Sequence, residues 1–326
     1  MASTSRILIT GSSGFIGANA LDYFSSRGFE VRGTDTAPPR RAEHQRWFVQ
    51  CDLLDAAGLK RAFTEFNPDY LLHLGARTDV FERKSIEGYA ANIQGVRNTI
   101  EAANDCPNLR RLIMTSSRLV CRMGHIPTSE QDFCPPNYYG QSKVETERVT
   151  KAAAINAEWV ITRPTAIWGP GFLVPSYRDF FELIRRGRYF HLGAHNPQKT
   201  FGYVKNFTFQ MEKLLLAPRQ QVQGRLFYIG DYEPVALREW ADLIAREFGR
   251  KPVPTVPLGL LRAGAFAGDV LKKAGWDNVP LTSARLSNML SESVHDGELL
   301  KAVTGPLPYD LASATRETVQ WLKANP

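Results

Sequence analysis

The stretch "RILITGSSGFIGANALDYF", residues 6–24, decides how this chain is read. Arg6 to Thr10 form a short aliphatic run, Gly11, Gly14 and Gly17 follow at threefold spacing, and a helical pattern begins at once. Gly11 can turn the chain tightly, Gly14 lets the backbone approach a pyrophosphate, and Gly17 allows close packing of helix on strand. The first N–H groups of a helix have no intrahelical acceptor and carry the positive end of its dipole. The turn and helix start, Gly11, Ser13, Gly14, Phe15, Ile16 and Gly17, are therefore expected to hold the phosphates of a dinucleotide. A glycine pattern alone is a weak signal; its place between a strand and a helix makes it specific.

Outward from that turn, "EVRGTD" (30–35) ends at Asp35, about 20 residues on, where a carboxylate accepts hydrogen bonds from the adenosine ribose and repels a 2′-phosphate. NAD is expected over NADP. Asp52 and Leu53, closing the next strand, are expected beside the adenine, with a turn role as the alternative for Asp52. The strand candidates are 6–10, 30–35, 47–52, 70–75, 111–117 and 159–164, and helix-like stretches lie near 15–27, 56–66, 89–104 and 139–156. Strands alternating with helices give βαβ units with right-handed crossovers, hence a parallel sheet covered on both faces. The predicted fold is α/β, a Rossmann-type doubly wound parallel sheet with a smaller, mostly helical C-terminal substrate domain.

Beyond Pro164 the pattern becomes irregular, but "FGYV" (201–204) and "LFYIGD" (226–231) read as strands that return to the sheet. The two domains are thus expected to interleave. Residues 1–164, with returning segments near 200–231, form the NAD-binding part, and 165–326 form the substrate-binding region. Within the latter, "VPLGLLRAGAFAGDVLKKAGW" (256–276) reads first as an amphipathic helix packed on a core; a lid, a dimer surface and a membrane-skimming helix are the alternatives.

The 326 residues are 43% hydrophobic and 22% charged, ordinary for a globular chain with a sizeable core. The formal charge of +7 is spread as pairs such as Arg40-Arg41 and Arg185-Arg186 with acidic residues between them. That is no basic stripe, so nucleic acid is not expected, although a mild field can draw in phosphate-bearing small molecules. The opening leads directly into a strand and turn rather than a signal peptide, and no apolar run approaches the ~18 residues of a membrane helix, so a cytoplasmic place is expected. Cys51, Cys106, Cys121 and Cys134 have no paired spacing and the six histidines are scattered, which points to reduced thiols and no metal site.

The chemistry centres on "YYGQSK" (138–143). On a helix Tyr139 and Lys143 share a face. A phenol with pKa ~10 is a poor base at neutral pH, and a neighbouring cation favours its anion. That makes Tyr139 the candidate proton acceptor, and Tyr138 lacks the same relation to Lys143. Such a pair also arises by chance in many helices, and its company decides the matter.

With "TGSSGFIG" (10–17), "HLGA" (73–76), "TSS" (115–117), "YYGQSK" and "RPTAIWGP" (163–170) in this order, the chain resembles the extended short-chain dehydrogenases/reductases, and more closely their NAD-dependent epimerase/dehydratase branch. The resemblance implies Ser117, Tyr139 and Lys143 as the catalytic set. Lys143 bonds the nicotinamide ribose, and Ser117, three residues before Val120, fixes the reacting hydroxyl and relays its proton. It also implies that Leu74, Gly75, Ala76, Asn92, Thr115, Ser116 and Pro164 lie near NAD and that Arg77, Ser117, Arg118, Ala166 and Lys199 meet the substrate. His73 reads as a packed strand residue.

Members that dehydrate nucleotide sugars carry an Asp-Glu pair after the catalytic Ser/Thr, and here Arg118 and Leu119 stand there and cannot do that acid–base work. Ala166 and Trp168 replace the frequent asparagine and tyrosine, and Lys199 stands near an arginine that grips diphosphate without offering its bidentate fork. The expected function is an NAD-dependent nucleotide-sugar epimerase of the hexose 4-epimerase type, acting on a small-molecule substrate as a homodimer. The alternatives are an NAD(P)-dependent sugar or 3β-hydroxysteroid-like dehydrogenase or ketoreductase and, third, an inactive NAD-binding scaffold.

Overall fold

A computed structural model describes residues 4–172, 175–276, 279 and 281–325, the side chains of 175–177 excepted. From the N-terminal side it runs β1 (Arg6–Thr10), α1 (Phe15–Ser26), β2 (Glu30–Asp35), β3 (Phe48–Gln50), α2 (Ala56–Phe66), β4 (Tyr70–His73), α3 (Ala90–Asn104), β5 (Arg111–Thr115), α4 (Tyr138–Ala152) and β6 (Glu158–Pro164). Ile7, Leu8 and Ile9 of β1 and Leu112, Ile113 and Met114 of β5 are all fully buried. Such unbroken runs belong to strands covered on both faces. Local signals fix the helix ends: Asp55 accepts from the Gly58 N–H at 2.9 Å to start α2, Asn67 closes it with φ 47, and Asn137 accepts from the Gly140 N–H at 2.8 Å to start α4.

The central sheet has seven strands, in the order Leu226–Ile229, β6, β5, β4, β1, β2, β3. All of its pairings are parallel. Strand order reverses between β1 and β4. At such a switch point the loops leaving two neighbouring strands diverge to opposite faces and open a crevice at their carboxyl ends, where doubly wound sheets hold ligands. Leu8, Leu59, Phe63, Leu71, Val96, Ile100 and Leu112 form the core beneath one face.

The chain divides into two compact units. The first comprises 1–167, 202–232 and 296–308, and the second comprises 168–201, 233–295 and 309–326. Two expectations need correction. Phe201–Tyr203 does not enter the central sheet but pairs with Ala166–Trp168 in a two-stranded ladder, while Leu226–Ile229 alone extends the sheet beside β6. The run is only three residues long, and the Tyr203 N–H goes to the Asp231 carboxylate at 3.2 Å. The segment 296–308, read as part of the C-terminal region, belongs to the first unit. Its helix Glu298–Thr304 buries Leu300 and Thr304, and the Tyr232 hydroxyl donates to the Gly305 carbonyl at 2.7 Å.

The second unit has an aromatic core. Trp240 lies 4.9 Å from Trp168 and 4.7 Å from Phe201 between ring centroids, and its indole N–H donates to Thr315 at 3.0 Å. A satellite cluster of Leu192, Leu261, Ala265 and Leu286 underlies the helix Leu258–Lys273.

Candidate active site

The glycine turn is built by contact rather than by flexibility alone. Gly11 has φ +70, and a methyl on it would meet the Gly75 nitrogen at 2.7 Å, so the loops leaving β1 and β4 touch across the switch point. A methyl on Gly17 would stand 2.1 Å from the Gly11 carbonyl oxygen. Helix α1 starts at Gly14 without a side-chain cap, leaving its positive end to an external anion. Asp35 is drawn into the same turn: its carboxylate accepts from the Ser13 N–H at 3.0 Å and the Ala37 N–H at 3.1 Å, while the Ser13 hydroxyl donates to the Ala37 carbonyl at 2.8 Å. Phe15 and Ile16 open α1.

Beside the turn, the Thr10 hydroxyl accepts from the Gly75 N–H at 3.0 Å and meets His73 Nδ1 at 2.9 Å. Burial, with the Lys143 charge adding to it, pushes His73 down to about 3. The ring is a neutral strut, as its strand position implied. The Leu74 N–H donates to the Thr10 carbonyl at 3.2 Å, and the Leu53 side chain comes within 3.0 Å of where a methyl on Gly75 would be. Asp52 caps its own turn by accepting from the Leu54 N–H at 2.9 Å.

The end of β5 and the start of α4 carry the reactive groups. The Tyr139 ring is buried, its hydroxyl hydrogen-bonds Ser117, and its centroid lies 6.0 Å from that of Tyr89. Lys143 is also buried, and its ammonium donates to the Thr115 carbonyl at 2.9 Å. Burial pushes the Tyr139 phenol up to about 12, with the Ser117 bond opposing the rise and Tyr89 adding to it. Burial likewise pulls Lys143 down to about 8, against the neighbouring Glu147. The expected direct relief of the phenol by the ammonium is thus replaced by two separate partnerships, because the strand end offers a hydroxyl to one group and a carbonyl to the other.

Ser116 and Ser117 point to different tasks. The Ser117 hydroxyl accepts from the Leu119 N–H at 3.1 Å and serves Tyr139, whereas Ser116 donates to Glu147 at 2.6 Å. Glu147 is in turn paired with Arg163 at 2.7 Å, both side chains 1% exposed, and Arg163 also donates to the Tyr228 hydroxyl and the Glu130 carbonyl. This strut ties β5, α4 and β6 together. Residue-by-residue reading missed it and Thr10, although a charged pair at these positions of a helix and a strand that the pattern covers on both faces was a signal that could have revealed the strut.

Asn92, fully buried, spends its side chain on clamping. It accepts from the Arg77 N–H at 2.8 Å and donates to the Arg77 carbonyl at 3.0 Å and the Ser142 hydroxyl at 2.9 Å. The Arg77 guanidinium is held by Asp79 at 2.6 Å, by Glu82 and by the Gly88 carbonyl, and lies over the Tyr89 ring. Arg118 sits in the 3-10 turn after Ser117, Pro164 ends β6 and Ala166 follows it, half-buried. Lys199 belongs to the second unit and donates to the Asn288 carbonyl at 3.0 Å. Trp168 lies fully buried in that unit's aromatic core.

The model of the NAD dependent epimerase/dehydratase family matches residues 7–230. A 3β-hydroxysteroid dehydrogenase/Δ5→4-isomerase of Mycobacterium tuberculosis is 28% identical over 76% of this chain and 70% of its own. An N-acetyl-α-D-glucosaminyl-diphospho-ditrans,octacis-undecaprenol 4-epimerase of Escherichia coli O157:H7 is 24% identical over 97% of this chain and 95% of its own. Among solved structures, the UDP-glucose 4-epimerase of Thermus thermophilus in complex with NAD superposes with a TM-score of 0.70 at 21% identity, covering 98% and 99% of the two chains.

Proposed function

We propose, from the premise that the chain belongs to the NAD-dependent epimerase/dehydratase family, that it is a 4-epimerase of a diphosphate-linked hexose, with Ser117, Tyr139 and Lys143 as its catalytic set. The enzyme is NAD-dependent. The observation that carries the reading is the buried Tyr139 hydroxyl bonded to Ser117, with Lys143 fixed on the next strand-end carbonyl. When bound, NAD supplies the acceptor and donor of hydride. A dinucleotide suits the crevice, where the methyl-free turn at Gly11 and Gly17, the uncapped start of α1 and the Asp35 carboxylate offer close approach, a positive dipole and a ribose acceptor.

In this reading the substrate hydroxyl replaces one partner of the Ser117–Tyr139 bond, and its proton passes through Ser117 to Tyr139 in its phenolate form, which the positive nicotinamide of bound NAD would favour together with Lys143, as the alcohol is oxidised. Tyr139 returns a proton when the alcohol is re-formed. Lys143, held on Thr115, meets the cofactor ribose and keeps a positive charge near the phenol's face of α4. Asn92 acts by fixing the Arg77 backbone against α4. Loss of water is not supported, since Arg118 and Leu119 offer no acid–base pair. Lys199 is the cation assigned to the diphosphate, and a homodimer in the cytoplasm belongs to the same reading. The near full-length likeness to a 4-epimerase supports this substrate class.

A second reading, a dehydrogenase of an apolar secondary alcohol, is favoured by one set of observations. Arg77 is consumed by Asp79 and Glu82, Lys199 by a carbonyl, and the higher identity is to a hydroxysteroid enzyme. Purified protein denatured to release its nucleotide, followed by assay with a panel of UDP-hexoses, separates the two. Released NAD and conversion to the C4 epimer without added cofactor support the epimerase. Stoichiometric consumption of added NAD with a steroid-like alcohol, and none with sugars, sinks it.

A further inference from the structure

The helix Leu258–Lys273 has two unlike sides. One side, with Leu261, Ala265 and Gly268, packs on Leu281, Leu286 and Leu192; a methyl on Gly268 would lie 1.9 Å from the Leu281 carbonyl oxygen. The opposite side holds Leu260, Ala263, Phe266, Ala267, Val270 and Leu271, spaced by three and four residues and so sharing one arc of the helix. Leu260, Phe266, Val270 and Leu271 are 66%, 70%, 52% and 41% exposed, and Trp276 just beyond the helix is 66% exposed. Scattered exposed apolar residues are normal, but a contiguous stripe along a whole helix marks a surface that meets something.

The charges name the partner. Between Lys251 and Trp276 stand Lys251, Arg262, Lys272 and Lys273 against the single carboxylate of Asp269, which accepts from the Ser283 N–H at 3.1 Å. By helical position Arg262, Asp269 and Lys273 lie at the border between the buried side and the outward arc, while Lys272, four residues beyond Gly268, falls in the last turn on the side of Leu261, Ala265 and Gly268. Long basic side chains at such a border can reach past an immersed apolar stripe to anionic headgroups. The helix spans about 24 Å, short of a bilayer's ~30 Å core, and no described helix is long and apolar enough to cross a membrane. An indole at the end suits the water–lipid boundary.

We propose that the helix Leu258–Lys273 is a docking face for an anionic lipid surface, lying in its plane with Leu260, Phe266, Val270 and Leu271 immersed and Arg262 and Lys273 at headgroup level. This goes beyond the catalytic reading and does not depend on it. The test is cosedimentation of the full chain with vesicles of phosphatidylcholine and phosphatidylglycerol in equal parts, and with phosphatidylcholine alone. The unaltered chain is expected to sediment with the anionic vesicles and less so at high salt. Phe266→Asp and Leu271→Asp are each expected to lower the partition about tenfold or more, the loss of one immersed large apolar side chain, with no change in melting temperature. Arg262→Glu with Lys273→Glu should weaken binding to the anionic vesicles alone. Brominated lipid should quench indole emission in the unaltered chain and quench it less in Trp276→Phe. No sedimentation with anionic vesicles, or equal sedimentation of Phe266→Asp, overturns the proposal. So does a dimer that Phe266→Asp turns into monomer without any vesicle binding, which would assign the face to a second copy.

Discussion

The turn at Gly11 to Gly17 and the outward arc of the helix Leu258–Lys273 are opposites in what dictates their residues. In the turn, a single methyl would collide with backbone, at 2.1 Å for Gly17 and 2.7 Å for Gly11. On the helix, Gly259 has nothing within 4 Å of where its methyl would stand, and large apolar side chains face outward with little packed on them. One region is specified from inside the fold, by neighbours that cannot move; the other is specified by whatever lies beyond the chain. Steric dictation leaves a motif with fixed spacing, whereas an external partner leaves only a composition.

The largest expected effect asks whether the densely specified region is also the reactive one. Tyr139→Phe keeps the ring and loses the hydroxyl bonded to Ser117, and is expected to lower kcat by about 10²–10⁴-fold while nucleotide still co-purifies. Full activity would detach reactivity from the tightly built crevice. Gly17→Ala is expected to lose about 3 kcal/mol of stability or more, together with bound nucleotide, because the carbonyl in its way belongs to the turn itself. A native-like melting temperature with NAD retained would break the comparison at its strong end.

Acid should act on the same crevice. His73 binds its proton only near pH 3 in the folded chain but near 6.5 when unfolded, so the unfolded state takes up protons first. The stability His73 contributes is full above 6.5 and is lost as pH falls from there toward 3. Urea midpoints measured across that window should drop, and His73→Gln should flatten the drop. The smallest effect lies at the other region: Ala267→Lys, on the outward arc, should change stability in solution by no more than about 0.5 kcal/mol. A loss of several times that would mean the arc is packed after all.

Much of the fold was legible because buried parallel strands are written as unbroken aliphatic runs and the helices between them start at side chains such as Asp55 and Asn137 that accept from their first N–H groups. "FGYV" misled because three apolar residues satisfy a strand pattern wherever they pair, and the Asp231 carboxylate that takes the Tyr203 N–H is remote in sequence. At the site, the positions of Tyr139, Ser117 and Lys143 followed from helical spacing and motif order. Their partners did not: Lys143 sits on a backbone carbonyl, which every residue has and no sequence singles out. Asp35 could be placed at a strand end, but not its two backbone donors in the turns. For 256–276, core packing holds on the side of Leu261, Ala265 and Gly268 and fails on the other, since apolar periodicity does not say how much of a helix its own fold will cover.

The chain passes between its units at Ile167, Phe201, Tyr232, His295 and Pro308. No single break therefore yields either unit whole. A stop after Tyr232 strips its hydroxyl of the Gly305 carbonyl and removes the helix that buries Leu300, damaging the very unit such a truncation would aim to isolate. Exchange of either unit between relatives must therefore splice the chain at several points at once.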